Sequence, residues 1–323
     1  MNRLIASLLL LCAISLVAPL AASAVTIAWS PVGNPGNAAD PATGSHYGAV
    51  AYNYNIGTYD VTNSQYVGFL NAKDPTGTSP LQLYNSNMSD PTYYGGINYN
   101  SGAANGSKYS VMSGDGNHPV NWVTWYDTIR FANWLNNGQG NGDTESGAYT
   151  LLGGTPTPSN GLSIARNAGA TIFLPSENEW YKAAYNIPGS NSYNLYATSS
   201  NATPFASGPT ATPNSANYNN AVGNLTNVGA YTGTTSPYGA FDMGGNIWQW
   251  NESLIGGSTR GFRGGSFFDF SLYLESSFRN NLYPDYGGSA LGFRVASTIP
   301  EPSTGVLAVI ACGMMWWWRK RFK

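Results

Sequence analysis

Between Cys12 and Cys312 the chain has no cysteine. The fold in that interval has no disulfide, no thiolate nucleophile and no cysteine-ligated metal. It has to be held by packing, hydrogen bonds or bound ions. The same interval is rich in Gly, Asn, Ser, Thr and Tyr, and only 9% of the whole chain is charged. Long ordered loops over an aromatic core suit such a composition. Aromatic residues make up 14% of the chain and are spread along it, which argues against disorder.

Both cysteines fall in hydrophobic end segments. Arg3, the apolar run Leu4 to Val17 and then Ala22-Ser23-Ala24 follow the order of a secretory signal cut before Val25. The run is shorter than the roughly 20 residues of a membrane span. Cys12 is not preceded by a small residue, so no lipoprotein box is expected. At the other end come Pro300-Glu301-Pro302, an apolar stretch Gly305 to Trp318, and Arg319, Lys320, Arg321 and Lys323. The prolines break any element leaving the domain. The apolar stretch suits a bilayer, with the basic tail on the cytoplasmic side. A plain C-terminal anchor has this layout too. Motif, span and tail together resemble the PEP-CTERM sorting signal of Gram-negative bacteria, in which an exosortase-type protease recognises the Pro-Glu-Pro motif. The expected organisation is a signal peptide at 1–24, one domain at 25–299 and a sorting segment at 300–323. The product would cross the inner membrane, be held briefly by its C-terminus, and end at the cell surface or in the extracellular matrix.

Without Arg3 and the four basic tail residues, 9 of the 14 Lys and Arg remain. Without Glu301, 15 of the 16 Asp and Glu remain, so the middle carries a net charge of −6. Nucleic acid and anionic membrane surfaces are excluded as partners by that sign.

Three helices are marked by their starts. Thr62-Asn63-Ser64-Gln65, Thr124-Trp125-Tyr126-Asp127 and Ser176-Glu177-Asn178-Glu179 each place a hydroxyl three residues before an acid or amide. In that spacing the hydroxyl accepts from a free N–H of the first turn, and the later side chain bonds back. Apolar residues at helical spacing follow each start and would face the core. Strands are expected at Gly48 to Tyr54, Ala170 to Leu174, Arg260 to Ser266 and Gly292 to Ala296. The segments 74–118, 138–169 and 186–235 are expected to be long loops. The fold class is α+β, one loop-rich domain without internal repeats.

The helix starts belong to longer phrases. In order they are Gly57 to Tyr66; His118 to Asp127, running on to Leu135; Leu174 to Trp180; Tyr238 to Trp250; and the pair Arg263-Gly264-Gly265-Ser266 and Gly292-Phe293-Arg294-Val295-Ala296. Together they resemble the sulfatase-modifying factor family, whose founder is the formylglycine-generating enzyme. The resemblance spans about Trp29 to Ala296. It implies a compact domain with little regular structure, distantly like the C-type lectin fold.

The resemblance also implies where chemistry would sit. The active enzymes hold copper with two cysteine thiolates, one of them three residues after Gly-Gly-Ser. Here that position is Asp269, and the second cysteine is missing. Soft Cu(I) needs sulfur ligands, so no copper and no formylglycine-generating activity are expected. A second branch of the family uses iron held largely by a separate His-rich domain, for which this chain has only His46 and His118. His118, beside Pro119, is expected to pack or cap.

Calcium is the cofactor the resemblance supports. By residue match, Asp242 and Gln249 with the carbonyls of Gly245 and Ile247 would form one site. Asn217, Tyr218, Asn220 and Val222 would form a second. Arg294 is expected in a buried pair, and Trp248 and Trp250 in the core. Ser266, Asp269, Arg279, Tyr283 and Tyr286 are the candidates for a ligand pocket. The function expected is that of an exported, non-catalytic binding protein, with exopolysaccharide or another envelope ligand as partner. A metal-dependent enzyme using the same pocket, or a structural envelope component, are the alternatives.

Overall fold

A computed structural model describes residues 24–299. The signal segment expected at 1–24, except Ala24, and the Pro300-Glu301-Pro302 motif, the C-terminal apolar stretch and both cysteines lie outside the described residues. Among the described residues no helix is long and apolar enough to cross a membrane.

The regular elements are short. In the first half they are β1 (Trp29–Val32), β2 (Tyr54–Gly57), α1 (Asn63–Lys73), β3 (Ile97–Tyr99), β4 (Tyr109–Val111) and α2 (Trp125–Asn136). Then follow β5 (Ile172–Phe173), α3 (Glu177–Tyr185), β6 (Phe205–Ala206) and β7 (Ser215–Ala216). The last part holds β8 (Trp248–Ile255), β9 (Thr259–Arg263), β10 (Asn280–Leu282), β11 (Leu291–Gly292) and β12 (Ala296–Thr298). One antiparallel sheet has the order β1-β2-β12-β5, so it joins the beginning and the end of the domain. A second runs β10-β9-β8-β11, with β11 parallel to β8.

All three helices begin with closed capping boxes. At α1 the Gln65 N–H donates to Thr62 Oγ1 at 3.3 Å, and the Thr62 N–H donates to Gln65 Oε1 at 2.9 Å. Thr62→Ala should therefore lower the unfolding free energy by about 1 kcal/mol, read as a shift of the urea midpoint. Where the sequence suggests one apolar face, α2 and α3 are buried almost all round. The buried residues of α2 include Asp127, Thr128, Arg130 and Asn133. The long loops account for this. Arg130 bonds Glu145 at 2.7 Å and the carbonyls of Thr155 and Pro156, so the 138–169 loop covers the outer side of α2.

The strands differ from expectation. The strand expected at Ala170 to Leu174 shortens to Ile172–Phe173, and β3, β4, β6 and β7 form inside segments expected to be loops. The other three expected strands also change. Residues 48–53 are not a strand. Asn37 donates to Gly48 O and accepts from the Val50 N–H, and Asn178 accepts from the Gly48 N–H, so side chains take the bonds a ladder would need. β9 stops at Arg263, because Gly264 and Gly265 turn the chain with φ of 106° and 73°. The segment 292–296 is divided between two sheets: β11 ends at Gly292 and β12 begins at Ala296. Phe293 to Val295 cross between them, with the Phe293 and Val295 carbonyls accepting from Val61 and Gly57.

The core is aromatic. Tyr66, Phe69, Phe131 and Trp134 of α1 and α2 pack ring against ring at 5.4–6.0 Å. Trp248 and Trp250 both pack on Phe262 of β9, which places them in the core as expected.

Candidate functional site

The turn after β9 carries Asp269, the residue that the resemblance sets at the copper-cysteine position. Gly264 suits glycine alone without strain: its φ is 106°, and a Cβ there would crowd Met243 O at 3.0 Å. The turn is closed by its own polar groups. Ser266 is fully buried, and its N–H donates to Asp269 Oδ2 at 3.0 Å. Its hydroxyl donates to the same oxygen. Burial pushes the Asp269 carboxyl up, and the two Ser266 bonds oppose it. Neither histidine bonds this pair; His118 Nδ1 lies 3.3 Å from Asp115 Oδ1, at the mouth of α1.

Arg279 is turned away from this turn. Its Nε donates to Glu177 Oε1 at 3.0 Å, and its Nη2 donates to Glu177 Oε2. Glu177 also receives Arg263 Nε at 2.7 Å. The expected grouping of Ser266, Asp269 and Arg279 around one pocket is thus not what the side chains form. Tyr283 and Tyr286 are exposed, at 63% and 50%. Tyr286 borders a cavity of about 220 Å3 with Trp248, Phe262, Phe268, Asn280 and Leu282. The pocket at Tyr286 is therefore aromatic and neutral.

The two calcium candidates are parts of one knot. Gly245 stands where a Cβ would meet Asn217 O at 2.5 Å, at φ 84°, so only glycine lets the two loops touch. Asn246, fully buried, accepts from Thr226 N at 2.9 Å and Asn217 Nδ2 at 3.1 Å, and donates to Thr226 O at 3.1 Å. The Asn219 and Asn220 N–H groups donate to Asp269 O and Phe267 O, both at 2.7 Å, and tie this knot to the Ser266 turn.

The donor sets differ in what they offer a cation. Gln249 Oε1 accepts from Trp180 Nε1 and Arg294 Nε, each at 2.7 Å. Its amide donates to Asp242 O at 2.8 Å. Asp242 Oδ2 accepts from the Gly229 N–H at 2.6 Å, and the Gly245 carbonyl accepts from Ile247 N. Burial lifts Asp242 to about 6. Gln249 Oε1 already accepts from two donors and is not free for a metal ion, so the Asp242–Gln249 set does not fit calcium as it stands. In the second set Asn217 Oδ1 is buried without a partner, as an oxygen awaiting one would be. Asn220 and Val222 are exposed beside it. Among the described residues no group of three or more His, Cys, Asp or Glu is placed to hold a metal.

Sequence reasoning singled out Arg294 but not its partners. Its Nη1 donates to Gly57 O at 2.8 Å, and its Nη2 donates to Asp60 Oδ1 and Phe241 O at 2.9 Å. Asp60 is fully buried; burial pushes its carboxyl up to about 8, against the pull of Arg294. Arg166 likewise lies between Glu179 at 2.6 Å and Glu252 at 2.7 Å. Asp60 and Glu177 lie within the phrases Gly57 to Tyr66 and Leu174 to Trp180, but nothing there marks them as arginine partners, and Glu252 lies in no phrase. Glu177 could have been suspected only as a second acid in the first turn of α3.

Short strands, capped helices and buried arginine–carboxylate groups holding long loops define a loop-rich α+β domain with few sheet bonds. Residues 32–299 match the family described as the sulfatase-modifying factor enzyme 1-like domain, and the chain belongs to that family. The crystal structure of CarF is 22% identical, covering 85% of this chain and 99% of that one, with a TM-score of 0.52. Treponema denticola variable protein 1 is 19% identical, covering 86% of this chain and 98% of that one, with a TM-score of 0.53. These likenesses place the fold with the formylglycine-generating-enzyme type. No curated protein matches the chain.

Proposed function

We propose that the protein is an exported, non-catalytic member of its family that binds an envelope ligand, exopolysaccharide among the candidates. The observation that carries this is the Ser266 turn: Asp269 stands at the copper-cysteine position and is spent on closing its own turn. A carboxylate is a hard ligand and cannot replace the thiolate that copper needs, and here its Oδ2 is taken by the Ser266 N–H and hydroxyl. What remains open beside it is the aromatic pocket at Tyr286. The domain at 25–299, on a scaffold distantly like the C-type lectins, would be released or displayed after an exosortase-type cut at Pro300-Glu301-Pro302.

Protein purified without chelator should contain no stoichiometric copper or iron and oxidise no cysteine peptide. It should also co-sediment with exopolysaccharide from the producing cell, and Tyr286→Ala should weaken that. Stoichiometric copper or iron with turnover would overturn the reading. Calcium belongs, on this reading, to the Asn217 loop, where an unpaired oxygen is available. Added calcium should then raise the melting temperature, and Asn217→Ala should abolish that rise.

A further inference from the structure

On the side of the domain where α2 begins there is a cavity of about 770 Å3, larger than the Tyr286 pocket. It lies between the loop 77–86, Trp122 to Asp127, Pro156-Thr157 and the segment 285–287. Asp285 and Gly287 flank Tyr286, and no other lining residue adjoins a residue expected in the ligand pocket. Its volume is that of a small-molecule site, about 300–1,000 Å3.

Three rings partly open to it are Tyr84, Tyr99 and Trp122. Each has its polar tip tied to a backbone carbonyl. Tyr84 Oη donates to Ile97 O at 3.2 Å, Tyr99 Oη to Gly77 O at 2.9 Å, and Trp122 Nε1 to Tyr93 O at 2.9 Å. Tied tips fix the rings and leave their faces as the surface on offer. Tyr84 is further braced by Tyr109 and Tyr99, at centroid distances of 5.1 and 5.8 Å. The backbone that presents these groups is strained. Trp122, Gln82 and Ser79 have φ of 60°, 52° and 47°. A tryptophan in the left-handed region is rare, and such outliers gather at ligand sites.

The rest of the lining is neutral or acidic. Gln82, Asn85, Ser86 and Thr157 supply amides and hydroxyls, Asp127 and Asp285 carboxylates, and there is no Lys, Arg or His. Asp127 Oδ2 is already bonded to the Thr124 N–H at 2.9 Å and hydroxyl at 2.7 Å. A lining of that sign repels phosphate, sulfate and uronate groups. Fixed aromatic faces with neutral hydrogen-bonding groups between them suit the C–H faces and hydroxyls of a pyranose.

We propose that this groove binds a neutral oligosaccharide, with Tyr84, Tyr99 and Trp122 as its stacking platforms. The proposal rests on the reading of the protein as a binder and adds the site and the ligand's chemistry. Titration calorimetry would use hexasaccharides of β-1,4-glucan, α-1,4-glucan and β-1,4-mannan, with a galacturonate hexamer and choline as charged probes. At least one neutral hexasaccharide should bind saturably to the full chain. Trp122→Gly, which keeps a residue that accepts the positive φ, and Tyr99→Ala, on the rim, should each weaken that binding by about tenfold or more. Phe205→Ala, an exposed ring elsewhere, should leave it unchanged. Circular dichroism melts of the two groove variants show whether each is folded, and either one alone suffices. The proposal is overturned if no neutral hexasaccharide binds, if galacturonate or choline binds more tightly, or if both folded groove variants bind as the wild type does. Should exopolysaccharide binding survive in those variants and fail in Tyr286→Ala, the groove assignment falls and the binding function stands.

Discussion

Glu177→Gln should lower the unfolding free energy by about 3–5 kcal/mol, the cost of breaking a buried ion pair by removing one partner. Glu177 is the only carboxylate among the described residues within ion-pair distance of Arg263 and of Arg279. Arg279 is about one-third exposed and can turn to water, but the side chain of Arg263 is fully buried. Its Nη1 already serves the carbonyls of Ser276 and Phe278, and its Nη2 has no partner. The rings of Tyr47 and Tyr181, 4.7 and 5.0 Å from its guanidinium carbon, cannot replace a full negative charge. Urea denaturation followed by tryptophan fluorescence measures the loss. Arg279→Met should cost much less, because its partner keeps Arg263. Equal costs for the two variants would show that Arg263 does not depend on Glu177.

Arg166→Met should give a loss of similar size at pH 7, but one that depends on pH. Arg166 bonds Glu179 at 2.6 and 2.9 Å and Glu252 at 2.7 and 2.8 Å, and stacks 3.5 Å over Phe173. Burial pushes Glu179 up, yet the bonds and charge of Arg166 outweigh it and hold the carboxyl below its usual value. A lowered folded pKa contributes stability above the unfolded value of about 4.5, and that stability is lost as pH falls through the folded value. Burial pushes Glu252 up, against the pull of Arg166. Without the arginine both carboxylates are buried with no cation between them, and the folded variant takes up protons at higher pH than the wild type. The deficit should therefore be full at pH 7 and shrink as pH falls through 5 toward 4. Urea midpoints of the two proteins at pH 7 and pH 5 decide it; a deficit equal at both would refute the account.

The parts of the fold legible in the sequence are those set by neighbours along the chain. Thr62 with Gln65, Thr124 with Asp127 and Ser176 with Glu179 are contacts over three residues, and all three closed as the spacing indicates. Strand limits were less legible because distant side chains set them. Nothing local to Gly48 or Val50 shows that Asn37 and Asn178 will take their backbone bonds. The site followed the same division. Asp269 could be matched to the family position from Gly264-Gly265-Ser266 alone. That Arg279 would turn to Glu177, 102 residues away, could not. Nor could the groove be seen, because its rings come from residue 84 on a loop, residue 99 at the end of the short β3 and residue 122 at a helix entrance, in stretches without periodicity.

The sheet order β1-β2-β12-β5 also decides how the domain bears a pull. β12 is the last described strand, and its ladders to β2 and β5 run antiparallel on both sides. The hydrogen bonds of such ladders lie across the strand axis. Tension applied at Thr298 along β12 would load those bonds together in shear instead of opening them one after another. Just upstream, Arg294 fastens the crossing segment to Gly57, Asp60, Phe241 and Gln249. A tether at the C-terminus would thus pull first on a strand gripped from both sides, and then on a side chain anchored at four points in the core.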